Sequence, residues 1–272
     1  MYSKLRPKNR SKIRLILGKA YYKIKRYFQW YFSDKKYSKN REEELLKYKA
    51  FSHKTPLYRK LKNVDMWLQE NKVINLQITI EKLNRITIYP GETFSFWKLV
   101  GNPTRKKGYV EGMVLVGGDF TDEVGGGLCQ LSNLLYWMTL HTPLTVSERY
   151  RHSYDVFPDS NRTQPFGSGA TLVYNYRDLQ IYNGTDEPYQ LCLSLTDEYL
   201  VGEWRTTYKP IYKYEIYEKE HKITHEYWGG YLRHNVINRK IYNGEETLLD
   251  DEYITENHAL MMYQPFLEES NQ

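Results

Sequence analysis

Apolar residues recur at helix spacing in two stretches of the chain, one near its start and one near its middle. In the first stretch, one face of a predicted helix is apolar and the opposite face carries Lys and Arg. In the second, apolar residues at positions 128, 131, 134, 135 and 138 predict a helix that ends at Thr142-Pro143. The apolar face of the first helix comprises Ile13, Leu17, Ala20, Tyr21, Ile24 and Phe28, with Trp30 close behind.

Most of the remaining pattern is typical of strands. Asn183-Gly184 predicts a hairpin, and Gly229-Gly230 and Asn243-Gly244 interrupt a tyrosine-rich, charged stretch that indicates exposed antiparallel strands. The predicted fold class is α+β, with a mainly antiparallel sheet, the second helix packed on it and a basic helical extension in front. The predicted strands cover residues 113–116, 170–176, 179–182, 189–195 and 199–206.

The same pattern predicts three parts of the chain. Residues 1–70 form a basic helical extension and linker, in which the polar stretch 33–58 is interpreted as linker and helix. Residues 71–206 form the core domain, beginning with an apolar set between Asn71 and Ile88. Residues 207–272 form a tyrosine-rich β appendage and an acidic tail.

Charge is distributed unevenly along the 272 residues. Residues 1–60 carry 19 Lys and Arg against 4 Asp and Glu, a balance of +15, while the rest carries a balance of −9. The basic helix therefore either lies in an anionic membrane interface through residues 1–32 or packs on the body with its charges in water. No nucleic-acid motif accompanies it, so no nucleic-acid partner is expected.

Composition excludes several classes of protein. Two cysteines exclude a disulfide scaffold and a Cys-rich zinc module, and His221 and His225 have H-x3-H spacing without further ligands, so neither metal nor cofactor is predicted. No apolar run reaches the ~18–20 residues that a membrane-spanning helix needs. Leu15 to Gly18 is too short for the core of a signal peptide, which predicts a cytoplasmic protein, peripheral at the inner membrane face if the helix binds lipid.

Gly125-Gly126-Gly127-Leu128-Cys129 is the most informative segment for chemistry. Glycines let a backbone approach a ligand closely, and Cys129 falls in the first turn of the second predicted helix. Free amides and the helix dipole there favour a thiolate, which makes Cys129 a candidate nucleophile; the alternative is a small buried residue at a tight turn. Gly126, Gly127 and Gln130 are candidate oxyanion donors, whereas Cys192 falls in an apolar strand and is interpreted as core.

This segment, extended to Gln130-Leu131-Ser132-Asn133-Leu134-Leu135, resembles the signature of the VanW family, first named from vancomycin B-type resistance clusters. Four further blocks resemble the family in order and cover roughly Val73 to Glu203 together with it. Gly169 stands where the family usually has Asp, so no role is assigned to that position. The blocks are Pro90 to Phe96, Glu148 to Ser153, Gly167 to Thr171 and Asp178 to Asn183.

The resemblance implies cell-wall chemistry, because some VanW-domain proteins are described as L,D-transpeptidases with this cysteine as nucleophile. It implies attack by Cys129 on a peptidoglycan stem peptide or precursor, with His152 as the general base. The alternatives are a non-catalytic accessory that binds wall precursors or resistance proteins, and an adaptor driven by the basic helix. The residues expected to orient these groups or bind substrate are Gly126, Gly127, Gln130, Ser132, Glu148, Arg149, Arg151 and Asp155.

Overall fold

The computed structural model describes residues 11–58, 65–116, 118–156 and 163–265. Part of the predicted 1–32 segment and part of the predicted acidic tail therefore lie outside the described residues. Four α-helices lie within these ranges: α1 (Lys12–Phe32), α2 (Met66–Leu83), α3 (Phe96–Val100) and α4 (Cys129–Leu140). No helix in the described ranges is long and apolar enough to cross a membrane. The α+β class predicted from the sequence is confirmed.

Fourteen strands are present in the described part of the chain. They are β1 (Lys36–Tyr37), β2 (Tyr48–Pro56), β3 (Thr87–Ile88), β4 (Glu92–Ser95), β5 (Glu111–Val116), β6 (Asp119–Val124), β7 (Thr145–Glu148), β8 (Tyr154–Asp155), β9 (Gln180–Tyr182), β10 (Tyr189–Leu195), β11 (Tyr199–Thr206), β12 (Lys213–His225), β13 (Tyr231–Tyr242) and β14 (Leu248–Met261).

These strands form four sheets of mostly antiparallel strands. The orders are β1-β4-β9-β7, β2-β11-β10-β3 and β12-β13-β14-β8, and β5 pairs with β6 in a separate hairpin. Only the pairings β1–β4 and β14–β8 are parallel among the described strands. Each of the three four-stranded sheets has a two-residue strand at one edge (β1, β3 or β8), which limits the unpaired backbone exposed there.

Helix α4 packs across the second sheet and carries much of the core. Leu131, Leu134 and Leu135 are fully buried, and each such leucine contributes about 1.5–3 kcal/mol by leaving water. The helix approaches β11 at Gly202, where an added Cβ would lie 2.7 Å from the Met138 methyl group. This packing fixes the direction of α4 and therefore the position of Cys129, its first residue.

The polar stretch before residue 58 differs from the linker and helix that its composition predicts. Residues 48–56 form β2, which pairs antiparallel with β11 at the edge of the second sheet. Half-buried and exposed positions alternate along it, except at Ala50-Phe51, because one face of this edge strand contacts α4 and the other remains in solvent. An edge strand carries many charged residues, and its composition is therefore similar to that of a linker.

Asn183-Gly184 does not form the predicted hairpin. Strand β9 before it pairs with β4 and β7, whereas β10 after it pairs with β11 and β3, so the turn joins two sheets. The Asn183 side chain donates hydrogen bonds to the carbonyls of Ile88 (2.8 Å) and Glu187 (2.7 Å) and holds this crossing in place. Residues 170–176 likewise form no strand but a turn, in which Val173 and Arg177 form an isolated bridge.

The tyrosine-rich segment forms the antiparallel strands that its pattern predicts. A turn at Glu226–Gly230 joins β12 to β13, and a turn at Asn243–Thr247 joins β13 to β14. Strand β13 is largely buried, while β12 is mostly exposed. Arg239 of β13 donates to the carbonyls of Leu140 (3.0 Å) and Thr142 (2.8 Å), so this sheet is fastened to the end of α4.

Candidate functional site

The glycine turn before α4 packs against the chain's own backbone. A Cβ at Gly126 would lie 1.9 Å from the carbonyl oxygen of Gly112 in β5, which leaves no room for any side chain. Gly127 has φ +89° and an added Cβ there would lie 2.3 Å from Cγ of Lys72. The close approach that these glycines permit is therefore internal, and it differs from the contact with a ligand expected from the sequence.

Asn75 of α2 holds this turn in place. Its side chain is fully buried, donates to the carbonyls of Val110 and Gly126 (both 3.0 Å) and accepts from the Val110 amide (2.9 Å). The two N–H donors and the carbonyl oxygen of this amide group thus join α2, the start of β5 and the glycine turn. Sequence reasoning missed Asn75, because an Asn at a core position in a helix carries no signal of its partner.

Cys129 is the first residue of α4 and retains some solvent-accessible surface. Burial of the thiol raises its pKa, and a hydrogen bond with the Leu172 backbone lowers it by less. Burial is the largest cause, so the thiol rather than the thiolate expected at the helix start is favoured in the resting protein. The pKa of Cys192 is also raised by burial.

Gln130 and Ser132 fasten α4 on either side of Cys129. The Gln130 amide donates to Thr55 Oγ1 (2.9 Å) and to the Pro56 carbonyl (2.8 Å) at the end of β2. The Ser132 hydroxyl lies 2.6 Å from the Ala170 carbonyl. The sequence predicts that both side chains orient or bind a ligand. In the structure, Gln130 holds the start of α4 to β2 and Ser132 holds it to Ala170.

The segment Thr171–Leu172 links Cys129 to the sequence block that contains His152. The Thr171 amide donates to the Tyr150 carbonyl (2.8 Å), and the Leu172 backbone is hydrogen-bonded to the Cys129 thiol. One short segment therefore contacts both sequence blocks, with His152 two residues beyond Tyr150. Burial, together with the positive charges of Arg177 and Arg151, lowers the pKa of His152 to about 4, so its imidazole is neutral at neutral pH.

The two arginines of the same block have different surroundings. Arg149 is committed to structure, since its guanidinium donates to the carbonyls of Gly167 and Gly169 and to the Asn257 side chain (3.1 Å). Arg151 donates to the His258 carbonyl (3.1 Å) and lies over the Phe166 ring at 4.1 Å. Arg149 is therefore poorly suited to bind a substrate, while Arg151 contributes positive charge beside His152.

The two candidate orienting carboxylates lie in different ion pairs. Glu148 accepts two hydrogen bonds from Arg26 of α1, one of them at 2.7 Å. Asp155 accepts from Arg233 (3.4 Å) and from the Tyr263 hydroxyl (2.9 Å). Glu148 thus anchors the N-terminal helix, and Asp155 joins β8 to β13 within the third sheet.

Arg177 is a further basic group at the site that sequence reasoning missed. It follows the Val173 turn, precedes Asp178 directly in the chain, and its charge lowers the pKa of His152 more than that of Arg151 does. A single arginine between two predicted strands carries no sequence signal for this position. Within the described residues, no group of three or more His, Cys, Asp or Glu side chains is arranged to hold a metal ion.

Comparison with known proteins gives the following matches. The family described as "VanW like protein" matches residues 71–205. The "Vancomycin B-type resistance protein VanW" of Enterococcus faecalis (strain ATCC 700802 / V583) is 35% identical over 227 residues, which cover 84% of this chain and 82% of that protein. The "Uncharacterized protein YoaR" of Bacillus subtilis (strain 168) is 32% identical over 114 residues, 42% of this chain and 36% of that protein. No solved structure matches.

Proposed function

The chain belongs to the VanW family, and from this membership we propose that it acts in peptidoglycan metabolism and contributes to glycopeptide resistance. The similar Enterococcus faecalis protein is named for vancomycin B-type resistance. The proposed activity is acyl transfer from a peptidoglycan stem peptide, with Cys129 as the nucleophile. The observation that carries it is the position of Cys129, partly exposed at the first residue of α4 beside a rigid glycine turn.

In the proposed reaction, the Cys129 sulfur attacks a stem-peptide carbonyl carbon while His152 accepts the thiol proton. The carbonyl electron pair moves onto oxygen, and the backbone amide of Cys129, at the start of α4, stabilises this oxyanion. Collapse of the intermediate expels the amine of the next residue, which takes the proton from His152 and leaves a thioester. An amine or water then attacks the thioester carbon and regenerates Cys129.

The charge around His152 supports an anionic peptide as the substrate. Arg151 and Arg177 both act on the imidazole electrostatically, and their combined positive charge would attract the carboxylates of a stem peptide. Burial first and this charge second keep His152 neutral at neutral pH, so the imidazole has an unprotonated nitrogen that is available for the thiol proton. This arrangement assigns substrate attraction to Arg151 and Arg177 and leaves Arg149 as a structural residue.

A non-catalytic accessory function is favoured by one observation. Burial raises the pKa of Cys129 and is the largest cause that lowers the pKa of His152, so the thiol keeps its proton and the base is weak. In this second candidate function, the site binds wall precursors or resistance proteins without breaking a bond. The two candidates differ in whether Cys129 ever forms a covalent product.

The deciding experiment incubates the full-length protein with muropeptides and follows both intact mass and released products. Acyl transfer predicts an adduct on Cys129 and turnover of the muropeptide, both lost in Cys129→Ser and kept in the matched Cys192→Ser variant. Equal muropeptide binding by wild type and Cys129→Ser, with neither adduct nor turnover, would support the accessory function instead. Absence of both binding and turnover would contradict both candidates for this substrate class.

A further inference from the structure

Helix α1 is docked on the body through one narrow face. Arg26 and Trp30, one turn apart, are the two buried residues of the helix, with 5% and 6% of their surface exposed. Arg26 pairs with Glu148 and donates to the Asn175 carbonyl (3.1 Å), and the Trp30 indole donates to Ser95 Oγ (3.1 Å). The contact is thus made by polar groups at the C-terminal half of α1.

Two more contacts fix how the helix is rotated about its axis. Lys98 of α3 donates to the Trp30 carbonyl (2.6 Å), and the hydroxyls of Tyr27 and Tyr174 lie 2.7 Å apart. Together with the Arg26 contacts, they hold one side of α1 against the body. The direction of the opposite side is therefore also fixed.

The opposite side is the apolar face that the sequence predicts, and it is exposed. At about 100° per residue, Leu17, Ile24 and Phe28 lie on the side of the helix away from Arg26. Phe28 and Phe32 stack on each other with ring centroids 4.9 Å apart, on the outer surface of the helix. The exposed fractions are Ile13 71%, Leu17 65%, Tyr21 61%, Ile24 69%, Phe28 64%, Tyr31 68% and Phe32 72%.

Positive charge borders this face. Lys12, Arg14, Lys19, Lys23 and Lys25 are all exposed, and α1 contains no Asp or Glu. Arg14 and Lys25 border one edge of the apolar stripe, while Lys12, Lys19 and Lys23 lie on the side of the helix that also carries Arg26 and Trp30. An apolar stripe with tyrosines and flanking cations suits the boundary between lipid headgroups and acyl chains.

We propose that the outward face of α1 is a docking surface for an anionic membrane. The helix lies in the plane of the interface, with Ile13, Leu17, Ile24 and Phe28 inserted and with Arg14 and Lys25 at the edge of the stripe against lipid phosphates. Its length of about 32 Å, at about 1.5 Å per residue, then lies along the surface while Arg26 and Trp30 hold the body above it. The proposal is independent of whether Cys129 is catalytic.

The charge favours lipid over a second copy of this chain as the occupant. Two α1 helices meeting face to face would bring Arg14 and Lys25 of each copy to the edge of the contact, with no acidic partner in either helix. Like charges in that arrangement oppose association, whereas an anionic bilayer neutralises them. Dimerisation through α1 is therefore the competing outcome that the experiment must detect.

The test is co-sedimentation of the full-length protein with vesicles of pure phosphatidylcholine and of phosphatidylcholine with phosphatidylglycerol. The wild type is expected to bind the anionic vesicles at least about 10-fold more strongly, and to lose that advantage at 0.5 M salt, where the Debye length falls to about 4 Å. The double variant Ile24→Ser/Phe28→Ser should lose binding at low salt. Ile211→Ser removes an apolar side chain that is 65% exposed elsewhere and should bind as the wild type does.

Thermal melting and light scattering of the same proteins complete the test. The proposal expects an unchanged melting temperature and an unchanged mass for Ile24→Ser/Phe28→Ser, because neither side chain contacts the body closely. A wild-type dimer that this variant converts to monomer would overturn the proposal in favour of a self-association face. A lowered melting temperature of the variant, or equal sedimentation with both kinds of vesicle, would also overturn it.

Discussion

At Gly126, the backbone of the glycine turn lies too close to the backbone of β5 to admit a side chain. Because a Cβ there would lie 1.9 Å from the Gly112 carbonyl oxygen, Gly126→Ala requires β5 or the start of α4 to move. We expect this variant to lose about 2–4 kcal/mol in free energy of unfolding, measured by urea denaturation. Gly244→Ala, with no atom within 4 Å of the added Cβ, should change it by less than about 0.5 kcal/mol. A stable Gly126→Ala would mean that the turn is looser than described.

The Cys129 thiol provides a second prediction at this scale. Since burial raises its pKa, alkylation by iodoacetamide should still be accelerating above pH 9 rather than levelling off near neutrality. The measurement is the labelling rate from pH 6 to 10 in a Cys192→Ser background, read by mass spectrometry. A plateau below pH 7 would instead indicate a thiolate that is already paired with an imidazolium in the resting protein.

Among the elements, α1 depends on one ion pair for its docking. Arg26→Ala leaves the partly buried Glu148 carboxylate without its guanidinium partner, and breaking a buried pair in this way costs about 3–5 kcal/mol. We expect α1 to detach, seen as faster amide hydrogen exchange in residues 20–32. Lys25→Ala changes an exposed neighbour and should leave exchange unaffected. Unchanged exchange in Arg26→Ala would show that Trp30 and Tyr27 suffice to hold the helix.

Elements with a strong local pattern are those that the sequence predicts best. Helix α4 is confirmed within a residue or two because its apolar spacing is regular and Pro143 ends it. The strand pair around Gly229-Gly230 is confirmed because a turn between long strands is a local feature. The prediction of linker and helix for residues 48–56 is wrong, because the pairing of β2 with β11 is set by distant residues. The hairpin predicted at Asn183-Gly184 is wrong for the same reason, since distant strands decide which sheet β9 joins.

In the candidate site too, features set by local sequence are predicted and features set by distant residues are not. The position of Cys129 at the start of a helix follows from local sequence, and it is confirmed. The raised thiol pKa does not follow, because it depends on burial by segments far away in the chain. The roles of Arg149 and Glu148 likewise depend on Asn257 and Arg26, more than a hundred residues from them.

In the molecule as a whole, the third sheet and the family-matched residues are joined by side chains. Arg149 reaches Thr255 and Asn257 of β14, and Arg239 of β13 caps the C-terminal end of α4. A Cβ at Gly167, in the loop that these contacts hold, would lie 2.4 Å from Asn257 Cγ. The tyrosine-rich strands therefore support the loop that follows the His152 block.

Proton binding links the stability of the whole molecule to pH. Burial lowers the pKa of His141 and of His152 to about 4, below the value of about 6.5 in an unfolded chain, so the unfolded state binds these protons more readily. Their contribution to stability is therefore present above pH 6.5 and is lost as pH falls toward 4. Asp178 acts in the opposite direction, because burial raises its pKa to about 6 and the folded state gains stability as that carboxylate is protonated.

Two histidines against one aspartate predict a net fall in the free energy of unfolding between pH 6.5 and 4, each histidine accounting for up to roughly 3 kcal/mol. His141→Asn should make this fall shallower, because the amide can still donate to the Trp137 carbonyl, which lies 2.9 Å from Nδ1, and no longer titrates. Urea denaturation at half-unit pH steps measures the slope. His225→Asn, which changes an exposed ring, should keep the wild-type slope. If His141→Asn keeps it as well, proton uptake at His141 does not drive acid unfolding, and the buried ring must already be accessible to protons in the native state.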